Sequence, residues 1–153
     1  MNILYLAHRI PYPPNKGDKL RALRQIEWLA RRHRVWCACF VDDPADRKYA
    51  TELARRCHAV AAIPLNRALA KARGLAGLAV GTTITESFYR HGGMTDRIAK
   101  WHRAVGFDTV VAFSSSMASY ALSIPGVRRV LDMCDLDSRK WADYAGASRG
   151  PAR

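Results

Sequence analysis

The chain has 153 residues, 49% of them apolar, and a formal charge of +12 at neutral pH. That is enough chain for one domain with a sizeable core, and the composition excludes a disordered or low-complexity protein. No apolar run reaches the roughly 18 residues of a membrane span and no signal-peptide pattern opens the chain, so a cytoplasmic protein is expected.

Asn2-Ile3-Leu4-Tyr5-Leu6-Ala7 is a nearly continuous apolar run and reads as a strand buried on both faces. His8 to Asp18 follows, with prolines at 11, 13 and 14 that fix φ and remove backbone donors, so this segment is a stiffened loop. Gly17 permits a tight turn, and Asp18 is placed to N-cap a helix over Lys19–His33. That helix carries an apolar stripe of Leu20, Leu23, Ile26 and Ala30, with Arg21, Arg24, Gln25, Trp28 and Arg32 opposite and Glu27 at the boundary. Strand, polar loop and helix make a first βα unit, whose strand end is where open α/β sheets bind ligands.

The second strand, Arg34–Val41, stops at Asp42-Asp43-Pro44, a turn and helix cap in preference to a metal or proton-transfer pair. The next helix runs to about Arg56, and His58–Pro64 is the third strand. Asn66 caps a basic, Leu-bearing helix whose far end Gly74, Gly77 and Gly81 weaken. Its apolar residues do not share one face, which suits a loosely packed connecting helix. Thr82–Gly93 reads as a loop with Phe88 and Tyr89 tucked inward and Arg90 and His91 solvated. Met94, Ile98, Trp101, His102 and Val105 form a clean helical stripe, in which His102 is a packed histidine.

Phe107–Phe113 is the fourth strand, leading to Ser114, Ser115 and Ser116 before a short helix. Three hydroxyls in that place either cap the helix or bind a phosphate or sugar together with backbone N–H groups. The flanking Phe113 and Met117 exclude a nucleophile elbow, hence a serine hydrolase. Arg129–Met133 is the fifth strand, followed by Asp135-x-Asp137, a weak metal-binding signal, with Asp137 or Ser138 also placed to cap the helix that begins at Arg139. Residues 146–153 lack apolar periodicity and should fray. The four cysteines show no metal-ligand spacing, so reduced buried thiols and no metal site are expected. The positive charge suits nucleic acid, an anionic membrane or phosphorylated substrates. It is spread along helices without a nucleic-acid motif, so a solvated basic surface and no nucleic-acid partner are expected.

Five strands alternating with helices imply an α/β fold, a Rossmann-like doubly wound parallel sheet over residues 1–145. The stretches HRIPYPPNKGDKLR, VDDP, FSSSMASY and LDMCDLDSRKW resemble the N-terminal domain of GT-B glycosyltransferases, in particular the sugar transferases found with bacterial exopolysaccharide and PEP-CTERM export systems. The resemblance implies transfer of a sugar from a nucleotide-sugar donor to a polysaccharide or lipid-linked acceptor, with no other cofactor. It places Lys16, Gly17 and Asp18 on the donor-phosphate side and Asp135 beside the reacting hydroxyl as catalytic base or orienting group. His8, Arg9, Ser114, Ser115, Ser116 and Asp137 are then acceptor contacts. The family's C-terminal donor-binding domain has no counterpart in these residues, so the chain is expected to be inactive alone, as a truncated reading frame, a fragment, or one half of an enzyme whose C-terminal half is on another chain. The resemblance also places the basic, Leu-bearing helix after Asn66 towards the acceptor side, which suits peripheral contact at the inner face of the cell membrane. The rival readings are a non-catalytic acceptor-binding module and a basic nucleic-acid-binding protein.

Overall fold

A computed structural model describes residues 1–134. It contains a five-stranded, all-parallel sheet of order β3-β2-β1-β4-β5 flanked by helices, a Rossmann-like doubly wound α/β fold. The strands are β1 (Asn2–Ala7), β2 (Arg34–Val41), β3 (Ala59–Pro64), β4 (Thr109–Phe113) and β5 (Arg128–Asp132). All are at or within two residues of their sequence-based bounds. Long apolar runs dictate this, because a central parallel strand buries both of its faces. Along β1, Ile3, Tyr5 and Ala7 enter one core while Leu4 and Leu6 enter the other.

Helix α1 (Gly17–Ala30) and α2 (Ala50–Ala54, after a 3₁₀ segment Pro44–Tyr49) follow β1 and β2. Side chains of α1 and α2 join the core of Ile3, Tyr5 and Cys37. Then α3 (Arg67–Ala79), α4 (Ile84–Tyr89), α5 (Gly92–Val105) and α6 (Ala118–Leu122) complete the β3-to-β4 and β4-to-β5 crossovers. Met94 and Ile98 of α5 and Tyr120 and Ala121 of α6 fill the core on the other side. Strand order therefore reverses between β1 and β4, which are hydrogen-bonded neighbours with Ala7 opposite Phe113. That reversal opens a crevice at the carboxyl ends of the strands.

Four local expectations are corrected. Asp18 does not cap α1: the helix begins at Gly17, Lys16 stands at the N-cap without a side-chain hydrogen bond, and Asp18 lies in the first turn. The buried stripe of α1 runs through Lys19, Ala22, Leu23 and Ile26, leaving Leu20 exposed. Lys19 is tolerated inside because its Nζ lies 2.6 Å from Asp46 Oδ2. The stretch expected as a loop contains α4, whose N-cap Thr83 accepts a hydrogen bond from Glu86 N at 3.1 Å. Finally, Gly74 and Gly77 do not loosen α3. They are buried where it meets α4, the most closely packed helix pair, and a Cβ at Gly77 would lie 2.6 Å from Ser87 Cβ and 2.7 Å from Thr82 Oγ1.

Other expectations match the structure. Asn66 caps α3, accepting from Ala68 N and Leu69 N at 3.0 and 3.1 Å. Asp43 caps the 3₁₀ segment through Ala45 N at 2.9 Å. Glu27 is a boundary residue, pairing with Arg24 and Arg56. His102 is a packed histidine that accepts from Phe107 N at 3.2 Å and stacks on the Phe107 ring. No helix among the described residues is long and apolar enough to cross a membrane.

Candidate functional site

The loop after β1 is held from below by apolar anchors. Ile10 is fully buried, and Tyr12 lies edge-on to Tyr49 with the Arg56 guanidinium 4.9 Å from its ring centroid. These contacts tie the loop to the segment after β2 and fix where its polar residues emerge. The Tyr12–Pro13 peptide bond is cis.

At the carboxyl ends of β1 and β2, four polar side chains then converge. His8 Nε2 lies 3.5 Å from Asp18 Oδ2, and Arg9 Nη1 lies 3.4 Å from the same oxygen. Arg9 Nη2 reaches within 3.9 Å of Asp42 Oδ2, so one guanidinium bridges two carboxylates. Both of its contacts are long for charge-assisted hydrogen bonds, and its Nε is buried with no hydrogen-bond partner among the described residues. The His8 ring stacks on Phe113 at 6.1 Å and meets Tyr89 edge-on at 6.2 Å. Burial, reinforced by the neighbouring Arg9 cation, pushes the His8 imidazole below its ordinary value, against the opposing pull of Asp18. At neutral pH His8 is therefore an uncharged base beside a carboxylate, able to accept a proton.

The serine segment sits across the strand-order reversal. Ser114 has a positive φ of 84°, and its Oγ lies 3.4 Å from Ser116 N and 3.0 Å from Ser116 Oγ, so it caps the turn that opens at Ser115. A non-glycine residue in that region stores strain of about 1–3 kcal/mol, of the kind that accumulates at functional sites. Ser115 and Ser116 face a different space from His8 and Arg9: they line a groove of about 840 Å³ that runs past Thr82, Thr83 and Ser119 towards Leu122. The residues named from sequence thus divide into two groups. His8, Arg9 and Asp18 gather at the end of β1, Ser115 and Ser116 line the hydroxyl-rich groove, and Ser114 stands next to the Phe113 ring that supports His8. Lys16 and Gly17 are exposed, and a Cβ at Gly17 would meet nothing within 4 Å. Asp135 and Asp137 lie outside the described residues.

Two carboxylates, Asp42 and Asp132, lie in loops that the sequence places along this edge, but nothing in the sequence marks them as site residues. Asp42 looked like half of a turn pair, yet only Asp43 caps, and Asp42 turns to Arg9. Asp132, at the end of β5, accepts from Arg21 at 2.9 Å, Gln25 at 2.7 Å and Cys134 N at 3.2 Å, while Tyr5 donates to Gln25 at 2.7 Å. Desolvation would raise the Asp132 carboxyl, but the Gln25 amide, the Cys134 N–H and Arg21 together bring it below its usual value. No sequence pattern marks this network, because its members are 107 residues apart for Gln25 and Asp132.

Among the described residues no group of His, Cys, Asp and Glu side chains is arranged to hold a metal ion. Cys37, Cys39, Cys57 and Cys134 form no disulfide among the described residues. No protein-family model matches the chain, and no curated protein is significantly similar to it.

Proposed function

We propose that this domain is the acceptor-side half of a GT-B glycosyltransferase, serving transfer of a sugar from a nucleotide sugar to a polysaccharide or lipid-linked acceptor. The observation that carries the reading is the convergence of His8, Arg9, Asp18 and Asp42 at the end of β1, beside the strand-order reversal where doubly wound sheets bind ligands. Sugar transfer needs an acceptor hydroxyl relieved of its proton as the glycosyl bond forms, and a neutral imidazole oriented by a carboxylate suits that task. His8 is the proton acceptor, Asp18 orients it, and Arg9 binds an anionic or hydroxyl group of the ligand. Asp135 keeps its role as a second base candidate from the resemblance, and Gly17 leaves open space at the start of α1 for a donor phosphate. The donor-binding half comes from a second domain, since one Rossmann-like unit supplies one wall of the cleft.

The experiment is a comparison of wild type with His8→Gln, Arg9→Gln and Asp135→Asn. Binding of nucleotide sugars and acceptor glycans is followed by calorimetry, and turnover is measured after addition of a donor-binding domain from a related glycosyltransferase. The expected result is ligand binding by the chain, turnover only on mixing, and a loss of about 10²–10⁴-fold in turnover for the variant that removes the base. If no nucleotide sugar or glycan binds and Arg9→Gln only lowers thermal stability, the cluster is a structural ion-pair network and the reading fails.

A further inference from the structure

The turn between α4 and α5 has backbone groups that neither helix can satisfy. Helix α4 ends at Tyr89 and α5 begins at Gly92, with Arg90 and His91 extended between them and no side-chain cap from His91. Carbonyls at the end of one helix and N–H groups at the start of the next find no partner inside either. One side chain from another crossover serves both. The Tyr120 hydroxyl of α6 donates to Tyr89 O at 2.5 Å and accepts from His91 N at 2.9 Å, the double role open to a phenol. Tyr120 is buried, and Phe40 of β2 packs against the rings of Tyr89, His91 and Tyr120 at 5.7, 5.9 and 6.3 Å.

What this clamp holds in place is the Tyr89 ring. It meets the His8 imidazole edge-on at 6.2 Å, while Phe113 stacks on the imidazole face. The Tyr89 hydroxyl forms no hydrogen bond among the described residues, so packing and the grip on its backbone set where the ring stands. Burial is the largest influence on His8; Arg9 acts with it, and Asp18, the Phe113 backbone and Asp42 act against it. Burial also raises the Tyr89 phenol, which is therefore uncharged at neutral pH. Its ring acts on His8 by excluding water and not by charge.

We propose that Tyr120 is a positioning residue for the site at the end of β1: by gripping the turn between α4 and α5, it holds the Tyr89 ring against His8 and shuts water out on that side. The inference deepens the reading of His8 as the proton acceptor and rests on that reading for its consequence in turnover. Loosening the turn admits water to the imidazole and weakens the main influence on it, while Asp18 and Asp42 stay in place. His8 then holds its proton to a higher pH, and the proton-accepting form appears later.

The test follows the imidazole signals of the 153-residue chain by NMR across pH, His8 being identified among the five histidines by its loss in His8→Gln. In wild type His8 should titrate below about 6.5. Tyr120→Phe removes the hydroxyl but keeps the buried ring, and should move the His8 midpoint upward. Tyr89→Leu should do the same, whereas Tyr89→Phe, which keeps the ring, should titrate as wild type does. In turnover assays with an added donor-binding domain, Tyr120→Phe should move the acidic limb of the pH profile upward in parallel. The wild-type His91 amide should also be protected against hydrogen exchange, and rapid exchange there overturns the inference without any substitution. A His8 midpoint that either Tyr120→Phe or Tyr89→Leu leaves unchanged overturns it as well. Shifted midpoints in a protein that binds no nucleotide sugar or glycan would uphold the clamp and sink the glycosyltransferase reading; unshifted midpoints with normal binding would do the reverse.

Discussion

Gly77→Ala tests the packing of α3 against α4 at its tightest point. Intrinsic helix propensity favours alanine over glycine by about 1 kcal/mol, so on an exposed helix the substitution would stabilise. Here the added methyl would lie 2.6 Å from Ser87 Cβ and 2.7 Å from Thr82 Oγ1, and closer still to Ser87 Oγ. A side-chain hydroxyl alone can swing aside, but Ser87 Cβ moves only with the backbone of α4. The two hydroxyls are also 2.6 Å apart in a hydrogen bond, and Thr82 donates from both N and Oγ1 to Gly77 O at 3.0 Å. Overpacking of this kind costs about 1–3 kcal/mol, and disrupting the hydroxyl pair about 1 kcal/mol more. Against the propensity gain, the net loss is about 1–3 kcal/mol, or roughly 4–12 °C in Tm at about 4 °C per kcal/mol for a domain of this size. Urea unfolding followed by circular dichroism measures it, with Gly92→Ala as the control, because a Cβ there meets nothing within 4 Å. A Gly77→Ala protein as stable as wild type would refute the close approach of these two helices.

Three further outcomes are expected. Asp46→Ala should cost about 3–5 kcal/mol by leaving the Lys19 ammonium buried without its carboxylate, whereas Lys19→Met should be close to neutral; equal losses in urea titrations would contradict this. His8 is held below its ordinary value, so the stability it contributes as a neutral side chain is present above about pH 6.5, its unfolded value, and disappears as pH falls through the lower folded value. Wild type should therefore lose more stability than His8→Gln on acidification below that point, and parallel urea midpoints for the two proteins would show that His8 titrates as it does in the unfolded chain. Gly17→Val should leave unfolding within about 0.5 kcal/mol of wild type, since its Cβ enters open space, while weakening nucleotide-sugar binding; unfolding with normal binding by the remaining folded protein would make Gly17 structural.

The sheet was legible in the sequence because each strand is a short apolar run bounded by turn residues. Right-handed crossovers then bring their carboxyl ends to one edge. Asn66 and Asp43 were legible as caps for a similar reason, since a cap acts on backbone only two or three residues away. The loop after β1 could be named as the place of a site from its prolines and its position behind the first strand. Properties that depend on contact between distant segments were not legible. Whether residue 19 or residue 20 faces the core was decided by Asp46, which arrives from another crossover and lets a lysine be buried. Gly74 and Gly77 read as weaknesses until α4 was seen lying against them, and the Thr83 cap that starts α4 was hidden by the surrounding loop-like composition. The pairing of Arg9 with both Asp18 and Asp42 was likewise a tertiary outcome: each residue alone is an ordinary surface charge, and only the adjacency of β1 and β2 sets one guanidinium between two carboxylates. Local chemistry carries its information in neighbouring residues, whereas burial and charge pairing are properties of the packed chain.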